Sequence, residues 1–504
     1  MTPGRQGPGV FHLSQSLLHL PAHVASVVPR DLDDARRLVA AAPAAARAIE
    51  YRMDLAGERL PASALLSLDA RPAILTWRSA REGGRFDGGA EEYRALVAEA
   101  YDAGATVDVE HASGLLADRT VFPDRRRVVV SAHFPFGLPP DPEATLAAMG
   151  EAGARVVKLV AGAGDLNAAF ATAALQAVPR PFAVSVFPMG PASAPGRILS
   201  AHLGAALVIG SAGAPTARGQ LSIAELAGTY GTTAPFFPEA LYGIVAGNAS
   251  ASLSPRLHNA LFRARALRFL YLPLPTSDFT REKPAELASV ARFRGFSITR
   301  PWKLAAAFLG VPSEDVRAAG SANTLVWQRG RWRAENTDVD GIFDPLADHD
   351  TGEGRSAVVL GAGGTARAAI VAARRIGYDV VVASRRDEAA DALATDLKVD
   401  AVAWNDVAET EADLYINTTP MGSADGDASA VPVKVLENRP LVFDCVYRRS
   451  GETATVTAAR RARCAVIDGL TLFAGQALRQ ARLFGIADAA MEEIRDVLGG
   501  ERRS

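Results

Sequence analysis

Cysteine is nearly absent. Of 504 residues only Cys445 and Cys464 carry a thiol, too few for a disulfide framework, and no Cys/His cluster has the spacing of a zinc site. His12, His19, His23, His111, His202, His258 and His349 show no ligand spacing and read as ordinary core or surface residues, so no metal is expected. Long hydrophobic runs are also lacking: none approaches the roughly 20 apolar residues that span a bilayer. The apolar stretch after Arg5 is broken by His12, Ser14, Gln15, Ser16 and His19, so neither a signal peptide nor a membrane partner is expected, and a reducing cytoplasm is the default location. No excess of one charge exists either. The 54 basic and 56 acidic residues leave a formal charge of −2 and a pI near 6.5, which removes the bulk electrostatic case for a nucleic-acid partner or a polybasic anchor.

The scarcity of lysine carries more information. Basic charge is almost all arginine, the lysines being Lys158, Lys283, Lys303, Lys398 and Lys434. A chain so biased keeps lysine where it is neutral to the fold, or where an amine that can lose its proton is required and a guanidinium cannot serve. Lys283, Lys398 and Lys434 lie in polar contexts; Lys158 and Lys303 do not. What the chain has in quantity is core material, 49% hydrophobic residues at a mean hydropathy of +0.08, and its length suggests roughly three domains, fewer if one is a large barrel.

Up to about residue 228, β-rich runs recur with helical patterns between them: Val24 to Val28, Ala48 to Arg52, Ala73 to Trp77, Thr106 to Glu110, Val128 to Ala132, Arg155 to Val160, Phe182 to Phe187 and Ala206 to Gly210. Eight runs alternating with segments such as Leu32 to Ala42, Tyr93 to Ala103, Pro142 to Glu151 and Ala168 to Ala177 predict a (β/α)8 barrel over 1–228. Polar residues gather at the carboxyl ends of the runs, where a barrel builds its active site: Glu50, Arg52, Arg78, Glu82, Glu110, His133, Lys158 and Arg197. The set suits an anionic substrate bearing a carbonyl. Arg52, Arg78 and Arg197 would bind a carboxylate, His133 would move protons, and a desolvated Lys158 beside other cations would attack a ketone.

Glu50-Tyr51-Arg52-Met53-Asp54, Arg78-Ser79 through Glu82-Gly83-Gly84, Asp108-Val109-Glu110, His133, Lys158 and Thr216 through Gly219-Gln220 together resemble the type I 3-dehydroquinate dehydratases. The resemblance implies a Schiff base between Lys158 and the substrate ketone, proton removal by His133, an orienting role for Glu82, and binding of carboxylate and hydroxyls by Arg197, Thr216 and Gln220. Two departures stand out: His133 is followed by Phe134-Pro135 rather than Asp-Phe, and Gly196 precedes Arg197 where the family has Ser.

A turn-rich stretch, 229–239, is expected to be a linker, and Asp344 to Arg355 a second hinge. Beyond the latter, the strand-like Ala357 to Leu360 leads into Gly361-Ala362-Gly363-Gly364-Thr365, an Ala-rich helix to Ile376, and a strand at Asp379 to Ala383. Glycines placed between a strand and a helix let a pyrophosphate rest on the helix N-terminus. Ser384-Arg385-Arg386 at the end of the second strand, where an NAD site would carry an acid, points to a 2′-phosphate and so to NADP. Upstream, Lys303 could sit beside a carboxylate and pass a proton to or from a hydroxyl.

Ser252 to Pro255 with His258-Asn259, Gly295 to Lys303, Asn323, Asn336 to Gly341, the glycine loop, Asn417 to Gly422, Asp444 to Tyr447 and Gly469 through Gln476 resemble the shikimate dehydrogenases. That family implies Ser252 and Ser254 on the substrate carboxylate, Thr299, Asn323, Asp338, Tyr447 and Gln476 around ring hydroxyls, and Lys303 with Asp338 as the catalytic pair. Gly361, Ala362, Gly363, Gly364, Thr365, Ser384, Arg385, Arg386, Cys445 and Gly469 would line the NADP site. The expected architecture is α/β throughout: the barrel, a two-lobed dehydrogenase with its substrate lobe at 240–343 completed by a terminal helix near 471–499, and a Rossmann-type lobe at 350–470. The expected activity is dehydration of 3-dehydroquinate followed by reduction of 3-dehydroshikimate to shikimate by a monomer or homodimer. The alternative is a quinate or shikimate dehydrogenase carrying a regulatory, non-catalytic dehydratase-like domain.

Overall fold

The computed structural model describes residues 18–249, 252–279, 283–349, 352–448 and 451–499. The readings made on Arg5, His12, Ser14, Gln15 and Ser16, and part of the 344–355 hinge, lie outside them. Two compact units divide after Pro238.

In the first unit, eight strands β1(Ala22–Val27), β2(Ala48–Arg52), β3(Ala73–Thr76), β4(Thr106–Glu110), β5(Val128–Phe134), β6(Val156–Gly162), β7(Val184–Met189) and β8(Leu207–Ser211) form one parallel sheet in the order β7-β6-β5-β4-β3-β2-β1-β8. The two outer strands approach each other, with the Ala206 N–H donating to the Val184 carbonyl at 2.9 Å and the Leu207 N–H to Ser185 Oγ at 2.7 Å. A serine hydroxyl thus replaces a carbonyl in the seam of the barrel. Three helices start where an aspartate can accept the first free N–H groups: Asp31, Asp141 and Asp165 cap Leu32–Ala40, Pro142–Glu151 and Leu166–Ala174. Helix Ala90–Asp102 buries Tyr93, Leu96, Val97, Ala100 and Tyr101, the i, i+3, i+4, i+7, i+8 stripe of a helix lying on a sheet. Between β4 and β5, where Gly114 and Pro123 interrupt helical spacing, only short 3-10 turns occur.

The stretch expected as a linker packs on the barrel instead. The Thr232 hydroxyl donates to the Leu226 carbonyl at 2.9 Å and therefore accepts from buried His23 at 2.8 Å, while Phe236 lies against the His202 ring at 4.5 Å.

The second unit holds two six-stranded sheets. In the first, β9(Ala240–Ala246), β10(Phe269–Pro275), β11(Phe293–Ile298), β12(Val311–Pro312), β13(Thr324–Gln328) and β14(Arg331–Glu335) run in the order β10-β9-β11-β13-β14-β12. The second is all parallel: β15(Ser356–Leu360), β16(Asp379–Ala383), β17(Asp400–Ala401), β18(Leu414–Asn417), β19(Leu441–Asp444) and β20(Val466–Ile467), ordered β17-β16-β15-β18-β19-β20. Strand order reverses between β15 and β18, the crevice where doubly wound sheets take dinucleotides. Helix Thr337–Ala347 carries the chain past residue 344, so the expected hinge begins inside a helix. The terminal segment forms two helices, Gly469–Leu483 and Met491–Gly499. The first serves both cores, Leu472 packing with the β15 sheet and Phe473 with the β9 sheet. A Cβ on Gly475 would sit 3.1 Å from Gly341 Cα, so this pair of glycines sets how closely the two helices cross.

Candidate active sites

At the carboxyl end of the barrel strands, charge is buried in quantity. Glu50, Arg78, Glu82, Asp108, Glu110, Lys158 and Arg197 are all buried, which is tolerable only if each finds partners. Arg78 is the hub. One terminal nitrogen donates to Glu82 at 2.8 Å and Glu110 at 3.1 Å, the other to Asp108 at 2.8 Å and Ser131 Oγ at 2.9 Å. Lys158 Nζ is ion-paired with Asp108 and lies 4.0 Å from Glu50 Oε1, which accepts from Thr76 at 3.1 Å. The expectation of cations around Lys158 is corrected here: its nearest charged partners are carboxylates, because Asp108 and Glu50 face the barrel interior on β4 and β2.

Glu82 Oε2 takes both the backbone N–H and the ring Nδ1 of His133, each at 3.0 Å. With Nδ1 as the donor, Nε2 is left as the free base. Burial and the charges of Arg78, Lys158, Arg52 and Arg197 hold His133 well below its ordinary value, so the imidazole is neutral near pH 7. Burial pushes Glu82 up to about 7, against the opposing effect of Arg78, whereas for Asp108 the cost of burial is outweighed by Lys158 and Arg78, and its carboxyl is held low.

Three arginines were expected on a carboxylate, and their surroundings differ. Arg78 has both terminal nitrogens occupied, and Arg52 forms a two-pronged pair with Asp54 at 2.9 and 2.8 Å. Arg197 donates to the carbonyls of Pro188 and Ile209 at 3.2 and 3.0 Å and lies over the Phe187 ring; burial lowers it to about 10. Thr216 and Gln220 meet, Gln220 Oε1 accepting from the Thr216 N–H at 2.7 Å and hydroxyl at 2.9 Å, and Thr216 lies 3.2 Å from Ser26 Oγ.

In the second unit a cavity of about 550 Å³ opens between the sheets. Ser252, Ser254, Thr299, Lys303, Asn323, Asp338, Thr365, Cys445, Tyr447, Gly469 and Gln476 all line it, so the residues expected around one substrate come together. Lys303 Nζ donates to Asp338 Oδ2, whose other oxygen accepts from Asn323 Nδ2 at 2.8 Å. The Asn323 side-chain carbonyl accepts from the Thr337 N–H at 2.9 Å, fixing its orientation. Burial together with Asp444 and Asp338 pushes the Cys445 thiol well up, so it stays protonated. His258 is wholly buried against Tyr271, and burial lowers it to about 3; it is a neutral core histidine.

Gly361, Ala362, Gly363, Gly364, Ser384, Arg385 and Arg386 lie outside that cavity's lining and form the loop and strand end beside it. Gly361 has φ +120°, and a Cβ there would run into Thr418 Oγ1. Gly363 precedes helix Gly364–Ile376, which has no side-chain cap, and a Cβ on Gly363 would project into open space. The free N–H groups of that turn fit a pyrophosphate. Ser384 is buried while Arg385 and Arg386 are exposed just past β16, where they can meet a 2′-phosphate.

Residues 23–234 match the family model described as Type I 3-dehydroquinase, and residues 244–325 that of the Shikimate dehydrogenase substrate binding domain. A shikimate dehydrogenase (NADP(+)) of Maridesulfovibrio salexigens is 31% identical over 254 residues, 49% of this chain and 92% of the relative; one of Oleidesulfovibrio alaskensis is 34% identical over 261 residues, 50% and 92%. The chain belongs to the shikimate dehydrogenase family. A solved structure it is similar to is the shikimate 5-dehydrogenase of Thermus thermophilus in complex with NADP(H) and shikimate, with 29% identity, 52% of this chain and 99% of that one covered, and a TM-score of 0.47.

Within the shikimate dehydrogenase half, sequence reasoning missed a buried relay. Tyr271 OH donates to Ser297 Oγ at 2.6 Å, Ser297 to Gln480 Oε1 at 2.9 Å, and Gln480 Nε2 to Thr324 Oγ1 at 2.8 Å. Ser297 and Gln480 line the cavity. Gln480 lies one turn beyond Gln476, and that i, i+4 spacing was the available signal. In the 3-dehydroquinase half, Asp108 and Ser131 were missed as partners of Lys158 and Arg78; charged residues alternating with valine in Asp108-Val109-Glu110 mark the inward face of a buried strand.

Proposed function

We propose that the chain dehydrates 3-dehydroquinate in its first unit and, in its second, reduces the resulting 3-dehydroshikimate to shikimate with NADPH. The observation that carries this reading is the buried amine of Lys158, paired with Asp108 and near Glu50 in a site whose histidine is neutral, in a chain whose other half belongs to the shikimate dehydrogenases.

In the first unit, Lys158 condenses with the ring ketone and expels water. The cationic nitrogen of the imine then lies where the ammonium lay, against Asp108, which stabilises the electron sink. His133 Nε2 takes the proton from the neighbouring carbon, the Glu82 carboxylate countering the positive charge that forms on the ring, and returns it to the departing hydroxyl. Water hydrolyses the imine and frees Lys158. Arg197 takes the substrate carboxylate, with Thr216 and Gln220 on hydroxyls; Arg52 and Arg78 position the carboxylates around them.

In the second unit, Ser252 and Ser254 hold the carboxylate, and Thr299, Asn323, Tyr447 and Gln476 surround the ring. NADPH, when bound along Gly361 to Thr365 with its 2′-phosphate on Arg385 and Arg386, supplies two electrons and a hydrogen to the ketone carbon. Lys303 gives the oxygen its proton, and Asp338 holds the ammonium in place.

The test supplies 3-dehydroquinate and NADPH to the purified chain and follows NADPH loss together with 3-dehydroshikimate. Both should respond, and borohydride should trap substrate on Lys158. Labelling elsewhere, or no label, overturns the dehydration mechanism; reduction without dehydration would favour a regulatory first unit.

A further inference from the structure

Lys303 has three N–H donors, and two are occupied within the protein. One goes to Asp338, the other to Thr365 Oγ1 at 2.9 Å. Thr365 belongs to the glycine loop, in the first turn of helix Gly364–Ile376, not to the substrate sheet. The lysine stem is held from the same side: a Cβ on Gly364 would lie 2.6 Å from Lys303 Cβ and 3.1 Å from its Cδ. The loop backbone therefore packs directly on the aliphatic chain. Ser321 Oγ donates to the Gly364 carbonyl at 3.1 Å, and the Ala322 N–H to the Lys303 carbonyl at 2.8 Å, so the contact is closed around Lys303 from both sides.

We infer that Thr365 is a positioning residue for the proton donor of the reduction, its hydroxyl oxygen fixing the Lys303 ammonium so that the third N–H points to the substrate oxygen. This rests on the reduction proposed above. Asp338 alone leaves the ammonium free to swing about a single contact; a second acceptor, contributed by the dinucleotide loop, fixes its direction. The Thr365 hydroxyl still has one hydrogen to donate, so a contact to the cofactor and the contact to Lys303 are compatible.

The test compares Thr365→Val, Thr365→Ala and Thr365→Ser in steady-state reduction of 3-dehydroshikimate. Valine and alanine should each lower kcat about tenfold, the effect of losing one hydrogen bond to a charged group, with KM for NADPH changed less than about twofold. Serine should restore kcat to within about threefold, and dehydration by the same samples should be unchanged. An unchanged kcat with a raised KM for NADPH overturns the inference, since Thr365 would then serve the nucleotide alone. Serine behaving like valine overturns it too, since packing and not the hydroxyl would matter. A wild-type chain that cannot reduce the ketone defeats the reduction and this inference together, whereas an active wild type with unaltered variants defeats the inference only.

Discussion

Replacing Arg78 by Met tests whether the barrel's catalytic end is held by one guanidinium. Arg78 is 3% exposed and bonds to Glu82, Glu110, Asp108 and Ser131. Methionine fills much of the volume but leaves three buried carboxylates without this counter-charge. Breaking a buried pair by removing one partner costs about 3–5 kcal/mol, a large share of the roughly 5–15 kcal/mol available to a folded unit. At about 2–4 °C per kcal/mol for a unit of this size, the melting midpoint of the barrel should fall by on the order of 10 °C. The loss should depend on pH. A carboxyl raised in the folded state, as Glu82 is to about 7, contributes stability that is full below its unfolded value and lost as pH rises through the folded one. Without Arg78 the folded value rises further, so the deficit should be larger near pH 8 than near pH 6. Arg78→Lys, which keeps the charge but not the fork, should fall between. Scanning calorimetry of the full chain at both pH values reads this out. A shift under about 2 °C, or one independent of pH, would refute the idea that Arg78 compensates these acids.

Lys303→Ala should cut reduction at least about a hundredfold while dehydration, assayed on the same sample, continues; equal loss of both would indicate misfolding. Arg385→Ala with Arg386→Ala should raise KM for NADPH about tenfold or more, the worth of a charge-assisted phosphate contact, and leave the rate with NADH unchanged; an equal effect on both cofactors would remove the 2′-phosphate assignment. Dehydration should rise with pH through about 7 as Glu82 ionises and can offset the positive charge that forms on His133, and Glu82→Gln should abolish that limb along with most of the rate. A limb that persists in the variant belongs to another group.

Much of the fold was legible because its determinants are local. Buried parallel strands are runs of β-branched and small residues ended by turn formers, so β2 and β4 fall where Ala48 to Arg52 and Thr106 to Glu110 suggested, and helix Gly364–Ile376 ends at the residue expected. The 229–239 stretch misled because its glycines, threonines and prolines have the composition of a linker, while what ties it down are contacts to distant histidines: the Thr232 hydroxyl reaches His23 on a strand 209 positions earlier, and Phe236 packs on the His202 ring. Composition reports what a segment can do by itself and says nothing of a distant histidine.

The same limit explains the arginines of the barrel mouth. Read along the chain, Arg52, Arg78 and Arg197 are equivalent cations at strand ends. In space each is defined by the acids near it: Arg52 has Asp54, Arg78 has three carboxylates, and Arg197 has only carbonyls and the face of Phe187, with no paired carboxylate among the described residues. A buried guanidinium with no paired carboxylate is costly, and burial, only partly opposed by the charge of Glu50, lowers its value to about 10. A substrate carboxylate would offset that cost, whereas at Arg52 or Arg78 it would have to displace an acid already in place. Carboxylate binding therefore favours Arg197 of the three, and the preference follows from pairing that no reading of strand ends alone could supply.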